Sequence, residues 1–309
     1  MNISKVLSNV YFLAPLAGYT DLPFRSVVKK FGCDLTFSEM TNANAIAYNN
    51  EKTKKMLQKS PLESPFFAQI AANNTQNAKK AVEIINECDW IDGIDINLGC
   101  PVKKAIRSGF GGVLLKDENE KLLIDIVKTI VNTSKKPVSA KLRLGFDKSV
   151  IEKKAKLLED LGVEFLIIHG RTVKQMYKGE VDYKEIKKAK KAVNIPVIAN
   201  GDITDYKKAK FVLEYTNANG VSIGRGAIGK PWIFLEMKQQ KEISKEKKKE
   251  IILEHFNQMI YWYKEYGVIL FRKHLHSYSK GISKASEFRT KINNEKDVNK
   301  VKELIEEYF

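Results

Sequence analysis

The fold class this sequence predicts is α/β, a (β/α)8 TIM barrel followed by a small all-helical C-terminal domain. Three observations carry it. Eight short apolar runs recur between residues 10 and 225, amphipathic stretches separate them, and strand-like runs stop near Ile243. The runs begin near Tyr11, Leu35, Pro65, Gly93, Val138, Phe165, Pro196 and Gly220, and they are almost continuously apolar, as strands buried on both faces require. Helices are predicted for residues 74–86, 118–131, 148–161, 183–192 and 205–215. An open doubly wound sheet is the rival. It usually has fewer units and a glycine fingerprint after its first strand, where this chain has Ala14-Pro15-Leu16-Ala17-Gly18. Residues 1–242 are expected to form the barrel and 243–309 the helical domain.

The 309 residues are 43% hydrophobic and 29% charged, enough apolar material for a sizeable core. No run of eighteen apolar residues occurs, and Met1 to Lys5 does not open a signal peptide, so a cytoplasmic protein without a membrane segment is expected. Cys33, Cys88 and Cys100 cannot all pair and lack metal-ligand spacing; they read as cytosolic thiols, and no metal is expected. Lys and Arg number 53 against 37 Asp and Glu, a formal net charge of +16. Nucleic acid is the leading class of partner, and a lysine-rich proteome is the plain alternative. Segment 238–309 carries 16 basic and 11 acidic residues, so both parts are basic. Oligomeric state is not legible, and a monomer is the simple expectation.

In such a barrel the reactive groups stand at the C-terminal ends of the strands. Here those ends carry Pro15, Glu39, Gln69, Asn97 with Cys100, Lys141 with Arg143, His169 with Arg171, Asn200 with Asp202, and Gly224 with Arg225. Packing alone does not place a lysine, a histidine and asparagines in apolar runs, because each must be paired or solvated. The loops Ala199-Asn200-Gly201-Asp202 and Ile223-Gly224-Arg225-Gly226 follow the last two strands, where barrels often hold a phosphate on backbone N–H groups. Lys141 suits a cation facing a flavin, or a Schiff-base amine. Gln69 and His169 suit the edge of a planar heterocycle. Cys100 reads as a proton donor, a nucleophile or an inert thiol, and the glycine-bearing loop 101–116 beside it as a mobile lid.

The segments LAPLAGYTDLPFR (13–25), NLGCPVKK (97–104), IHGRT (168–172), PVIANGDI (196–203), IGRGAIGKPWIF (223–234) and RKHLHSYSKG (272–281) resemble the bacterial, FMN-dependent tRNA-dihydrouridine synthases, in order and over almost the whole chain. The resemblance implies an FMN barrel with a helical tRNA-binding domain, NADPH (or NADH) as reductant, and reduction of the C5=C6 bond of a tRNA uridine, with the D-loop as its place. Carried over position by position, Cys100 matches the proton donor. Pro15, Leu16, Ala17, Gln69, Lys141, Asn200, Gly201, Asp202, Gly224 and Arg225 match flavin-contacting positions, with His169 beside them. Asn97 and Arg171 match positions facing the uracil, while Lys103, Lys104, Arg107, Arg272, Lys273 and Lys280 are expected to hold tRNA phosphates. Two departures stand out: Val173 where the family often has arginine, and His276-Ser277 where relatives commonly carry Gly-Trp.

Two other classes remain. A small-molecule FMN oxidoreductase explains the barrel but not the charge or the extra domain. A noncatalytic RNA-binding protein explains the charge but leaves Cys100, Lys141 and His169 without a purpose.

Overall fold

A computed structural model describes residues 9–309; the segment Met1 to Lys5 lies outside the described residues. Its parallel sheet has nine strands: β1 (Val10–Leu13), β2 (Thr36–Phe37), β3 (Thr41–Asn42), β4 (Phe66–Ala71), β5 (Gly93–Leu98), β6 (Val138–Arg143), β7 (Phe165–His169), β8 (Val197–Asn200) and β9 (Gly220–Ile223). Their order is β1-β9-β8-β7-β6-β5-β4-β2, and a parallel bridge between Phe12 and Leu35 brings β2 back to β1 and closes the ring. This is the (β/α)8 barrel the sequence predicts. The short β3, paired with β4, is an addition that no apolar run announced.

The five expected helices form within a few residues of their predicted ends, at Thr75–Asn86, Glu120–Thr133, Ile151–Asp160, Tyr183–Ala192 and Tyr206–Thr216. Their starts follow local chemistry. Asn74, Asp182 and Asp205 each accept the N–H three residues on, satisfying an orphan donor of the first turn.

Inward-facing residues alternate along each strand, and the barrel interior changes character from bottom to top. At the bottom Phe12, Phe37, Phe67 and Phe165 form an aromatic plug, with neighbouring ring centroids 5.8–6.1 Å apart. Further up, the same faces carry Gln69 on β4, Asp95 and Asn97 on β5, Ser139 and Lys141 on β6, His169 on β7 and Asn200 on β8. Register aligns them: Gln69 lies beside Asp95, Asp95 beside Ser139, Asn97 beside Lys141 and His169 beside Asn200. The apolar plug therefore forms the floor of a polar chamber.

Four helices, Lys245–Tyr263, Tyr266–Tyr278, Ala285–Asn294 and Val298–Tyr308, follow the barrel. Their core of Ile251, Ile252, Phe256, Phe271, Phe288 and Ile305 is continuous with Val27 and Phe31 of helix Leu22–Lys30 and with Trp232. The helical part thus shares its core with the barrel's first helix. Gly229, with φ +74°, lets the chain pass so close that a Cβ there would meet the Ser277 carbonyl oxygen at 2.7 Å. No helix among the described residues is long and apolar enough to cross a membrane.

Candidate active site

A cavity of about 630 Å³ opens at the C-terminal ends of the strands, within the range of small-molecule and cofactor sites. Pro15, Leu16, Ala17, Gln69, Lys141, His169, Asn200, Gly201, Asp202, Gly224 and Arg225, contributed by six loops or strand ends, all line it. So do Asn97 and Cys100. Arg143, which the sequence marked as a strand end without a role, joins them, with Tyr177, Tyr19 and Met40. Tyr177 lies on an irregular loop and gave no periodic signal.

Above the apolar plug runs a hydrogen-bonded line across three strands. Ser139 Oγ donates to Asp95 Oδ1 at 2.6 Å and Gln69 Nε2 donates to Asp95 Oδ2 at 2.7 Å. Asn97 Nδ2 donates to Gln69 Oε1 at 2.9 Å, and Asn97 Oδ1 accepts the backbone N–H groups of Gly99 at 3.2 Å and Cys100 at 3.0 Å. Burial pushes Asp95 up to about 6, partly offset by the bonds from Ser139 and Gln69 and by the Lys141 charge. Both of its oxygens accept hydrogen bonds here, as a carboxylate does.

Further along β6, Lys141 Nζ donates to Asn200 Oδ1 at 3.2 Å, while Asn200 Nδ2 donates to the Ser222 carbonyl at 2.6 Å. Burial first, then the neighbouring Arg143, lowers Lys141 to about 8. His169 is held well below its ordinary range by burial and by Lys141, Arg143, Arg171 and Arg225, so its imidazole is neutral at pH 7. A neutral ring offers a hydrogen bond to a heterocycle but no cationic acid.

The phosphate-type end is Gly224 to Gly226 with Arg225. Gly226 must be glycine, because a Cβ there would meet the Ile203 carbonyl oxygen at 2.1 Å. Arg225 Nη2 donates to Asp202 Oδ1 at 2.7 Å, and the guanidinium lies over the Tyr177 ring at 4.5 Å. Arg171 has a different setting from the one the resemblance implied. It does not line the cavity; its buried guanidinium donates to Asp202 and to the Gly179 carbonyl, so it braces the loop that Arg225 also grips. Arg143 is likewise committed, to the carbonyls of Gly99, Thr172 and Met176.

The loop expected to be a lid is ordered and anchored. It contains a short helix, Lys103–Arg107, and a 3-10 turn, Gly111–Leu115, whose Leu114 and Leu115 are buried in the core. Gly112 N donates to the Cys100 carbonyl at 3.2 Å, and Val173, the residue in place of an arginine, is buried against Gly112. Apolar side chains account for the difference, since Phe110, Leu114 and Leu115 could not leave without exposing their surface.

Lys103, Lys104 and Arg107 are exposed on the short helix. Lys280 is exposed too, but Arg272 donates to the Glu295 carbonyl at 3.0 Å and Lys273 to that of Gly18. His276 Nε2 lies 3.0 Å from Asn293 Oδ1, a partner within the helical part.

The fold also gathers Asp21, His255 and His274, whose ligand-type atoms lie within 4.8 Å of one another although sequence spacing gave no hint of it. Lys273 Nζ stands 4.0 Å from Asp21. His255 Nδ1 is 2.9 Å from Tyr278 Oη, and His274 stacks on Phe24 at 5.5 Å. The group is a buried joint between the helical part and the start of helix Leu22–Lys30.

With this geometry in view, comparison with known proteins is decisive. A sequence model of the dihydrouridine synthase (Dus) family matches residues 12–309. The chain belongs to the dihydrouridine synthase family. It is 48% identical over 301 residues to a probable tRNA-dihydrouridine synthase of Helicobacter pylori, covering 96% of this chain and 91% of that one. It is 40% identical over 298 residues to tRNA-dihydrouridine synthase B of Vibrio parahaemolyticus, covering 93% and 91%. Among solved structures, the old yellow enzyme homologue of Zymomonas mobilis shares the fold with a TM-score of 0.55 at 14% identity, covering 76% of this chain and 90% of that one. Morphinone reductase does so with a TM-score of 0.55 at 12% identity, covering 77% and 87%. Family membership makes the chain an oxidoreductase.

Proposed function

We propose that this protein reduces a uridine of tRNA, in the D-loop, to 5,6-dihydrouridine in the cytoplasm, with FMN as cofactor and NADPH (or NADH) as reductant. The observation that carries the reading is one cavity in which neutral amides, a neutral imidazole, a half-buried lysine and a glycine-arginine turn converge, with a thiol at its rim, in a chain of this family.

The residues fit FMN chemically. The Gly224 to Gly226 turn with Arg225 offers backbone N–H groups and a guanidinium to a phosphate, Lys141 offers a cation, and Gln69 and Asn200 offer amides to the ring edge. Bound and reduced, FMN supplies hydride for C6 of the uracil. Negative charge then grows on C5 and O4. Cys100, held at the rim by Asn97, donates its thiol proton to C5 as general acid. His169, neutral in its cationic surroundings, is not the acid.

A stacked uridine must first be extruded, at a cost of a few kcal/mol. In this reading residues 1–242 hold the cofactor and residues 243–309, with the exposed Lys103, Lys104 and Arg107, meet the tRNA, and the protein acts as a monomer without a metal. Purified protein should be yellow, release FMN on denaturation, and form dihydrouridine in tRNA lacking it. Colourless protein that still binds tRNA would instead support a noncatalytic RNA-binding role.

A further inference from the structure

The line from Ser139 to Cys100 contains two amides whose orientation is not self-determined. Gln69 and Asn97 can each present either NH₂ or C=O to a neighbour, and only the ends of the line decide which. One end is the Cys100 N–H, which needs an acceptor. The other is Asp95, which is fully buried and accepts from both Ser139 and Gln69.

We infer that Asp95 is a positioning residue for the reaction: by accepting only, it fixes the polarity of Gln69 and Asn97, and through them holds the Cys100 backbone against an acceptor. An ionised carboxylate draws the Gln69 NH₂ toward itself. Gln69 Oε1 then faces Asn97, the Asn97 NH₂ answers it, and Asn97 Oδ1 is left for Gly99 and Cys100. The same polarity gives Gln69 and Asn97 one spare N–H each, so these two cavity-lining amides keep donors for a ligand's carbonyl or ring nitrogen. What Cys100 does in turnover rests on the function proposed above; the hydrogen-bond logic does not.

Asp95→Asn keeps the shape and removes the constraint. The new amide can turn its NH₂ toward position 69 while its carbonyl accepts from Ser139, so the polarity is no longer fixed and Asn97 can present NH₂ to the Cys100 N–H, donor against donor. Adding Gln69→Glu restores the order, since a carboxylate at position 69 accepts from both neighbours and conserves net charge.

Cys100 alkylation by iodoacetamide, followed on its own peptide in the protein as purified, reads this without tRNA or reductant. A failure of the proposed function leaves the readout intact. Asp95→Asn should fold and alkylate Cys100 faster by about fivefold, the factor one ordinary hydrogen bond represents. The double variant should return to within about twofold of the unaltered protein, as a coupled pair requires. An unchanged rate in folded Asp95→Asn overturns the inference, as does a raised rate that Gln69→Glu does not restore. If Asp95→Asn does not fold, the double variant decides: folded with the original reactivity it supports the inference, otherwise it overturns it.

Discussion

Gly111 lies so close to Cys100 that a Cβ built on it would stand 2.8 Å from the Cys100 Cβ and 3.1 Å from Asn97 Oδ1. Its φ of +68° also lies where side chains are strained. Gly111→Ala should therefore cost about 1–3 kcal/mol of stability and slow uridine reduction by about tenfold or more through displacement of Cys100, while FMN remains bound. Thermal unfolding, flavin content and turnover measured together test this; normal turnover would mean that the turn does not position the thiol.

Cys100→Ala should fold, stay yellow and accept electrons from NADPH, because the proposed acid acts only on the uracil. Dihydrouridine formation should fall by about 10²–10⁴. Stopped-flow flavin reduction beside a tRNA assay separates the two half-reactions, and an undiminished tRNA reaction would remove the thiol from the mechanism.

Lys141, if it faces the proposed FMN, should make cofactor affinity depend on pH. Its folded pKa is lowered to about 8, so the ammonium is present below that pH and lost as pH rises through it. FMN should bind the apoprotein more weakly above about pH 8, by about tenfold if one charged hydrogen bond is lost, and Lys141→Met should be weaker and flat. Arg225→Ala, which removes the proposed phosphate partner, should lose about 1.5–3 kcal/mol of FMN binding. Fluorescence titration across pH 7–9.5 on the three proteins decides: a flat profile in the unaltered protein would separate Lys141 from the cofactor.

How much of this was legible depended on whether a residue advertised itself along the chain. The eight barrel strands showed because near-continuous apolar runs of that length suit burial on both faces, and polar residues closing such runs had to face something. Asp95, two residues before Asn97 on the same strand face, was not singled out, because its partners Gln69 and Ser139 are non-local and only register unites them. Arg171 looked like a ligand group because its neighbours do; its commitment to Asp202 and the Gly179 carbonyl depends on a loop path the sequence does not state. Gly111 and Gly112 suggested mobility, whereas tight packing against Cys100 explains them. Asp21, His255 and His274 are more than two hundred residues apart at the extreme, so no spacing rule could join them.

That histidine joint should set the acid limit of stability. Burial, then Lys273, lowers His255 to about 3, and His274 is lowered too by burial, His255 and Lys273. The unfolded chain binds protons near the ordinary pKa of 6.5 while the folded rings do not, so the folded state is favoured above about 6.5 and loses stability as pH falls toward 3. Each ring contributes a slope of up to about 1.4 kcal/mol per pH unit. Asp21, raised to about 6 by burial, acts in the opposite sense below that pH, so the informative quantity is a difference. Urea unfolding of His255→Phe should show a shallower loss between pH 6.5 and 4.5 than the unaltered protein; parallel profiles would mean that the ring is already protonated in the folded state.

The shared core determines how tRNA contacts must be tested. Removing residues 243–309 would bare Val27, Phe31 and Trp232, so loss of tRNA binding in such a truncation could reflect a damaged barrel. Exposed charges on an anchored element give a cleaner experiment. Lys103, Lys104 and Arg107 project from a short helix beside Cys100, and neutralising all three leaves the core untouched. If each holds a phosphate, the log–log slope of tRNA affinity against salt should flatten by about 0.7–0.9 per contact. Arg272→Ala should behave differently. Its guanidinium is bonded to the Glu295 carbonyl, so the change should lower the unfolding temperature and move the salt slope little. A triple variant with an unaltered slope would shift the phosphate contacts off this helix, and an Arg272→Ala variant that is stable but has a flattened slope would assign that arginine to the tRNA after all.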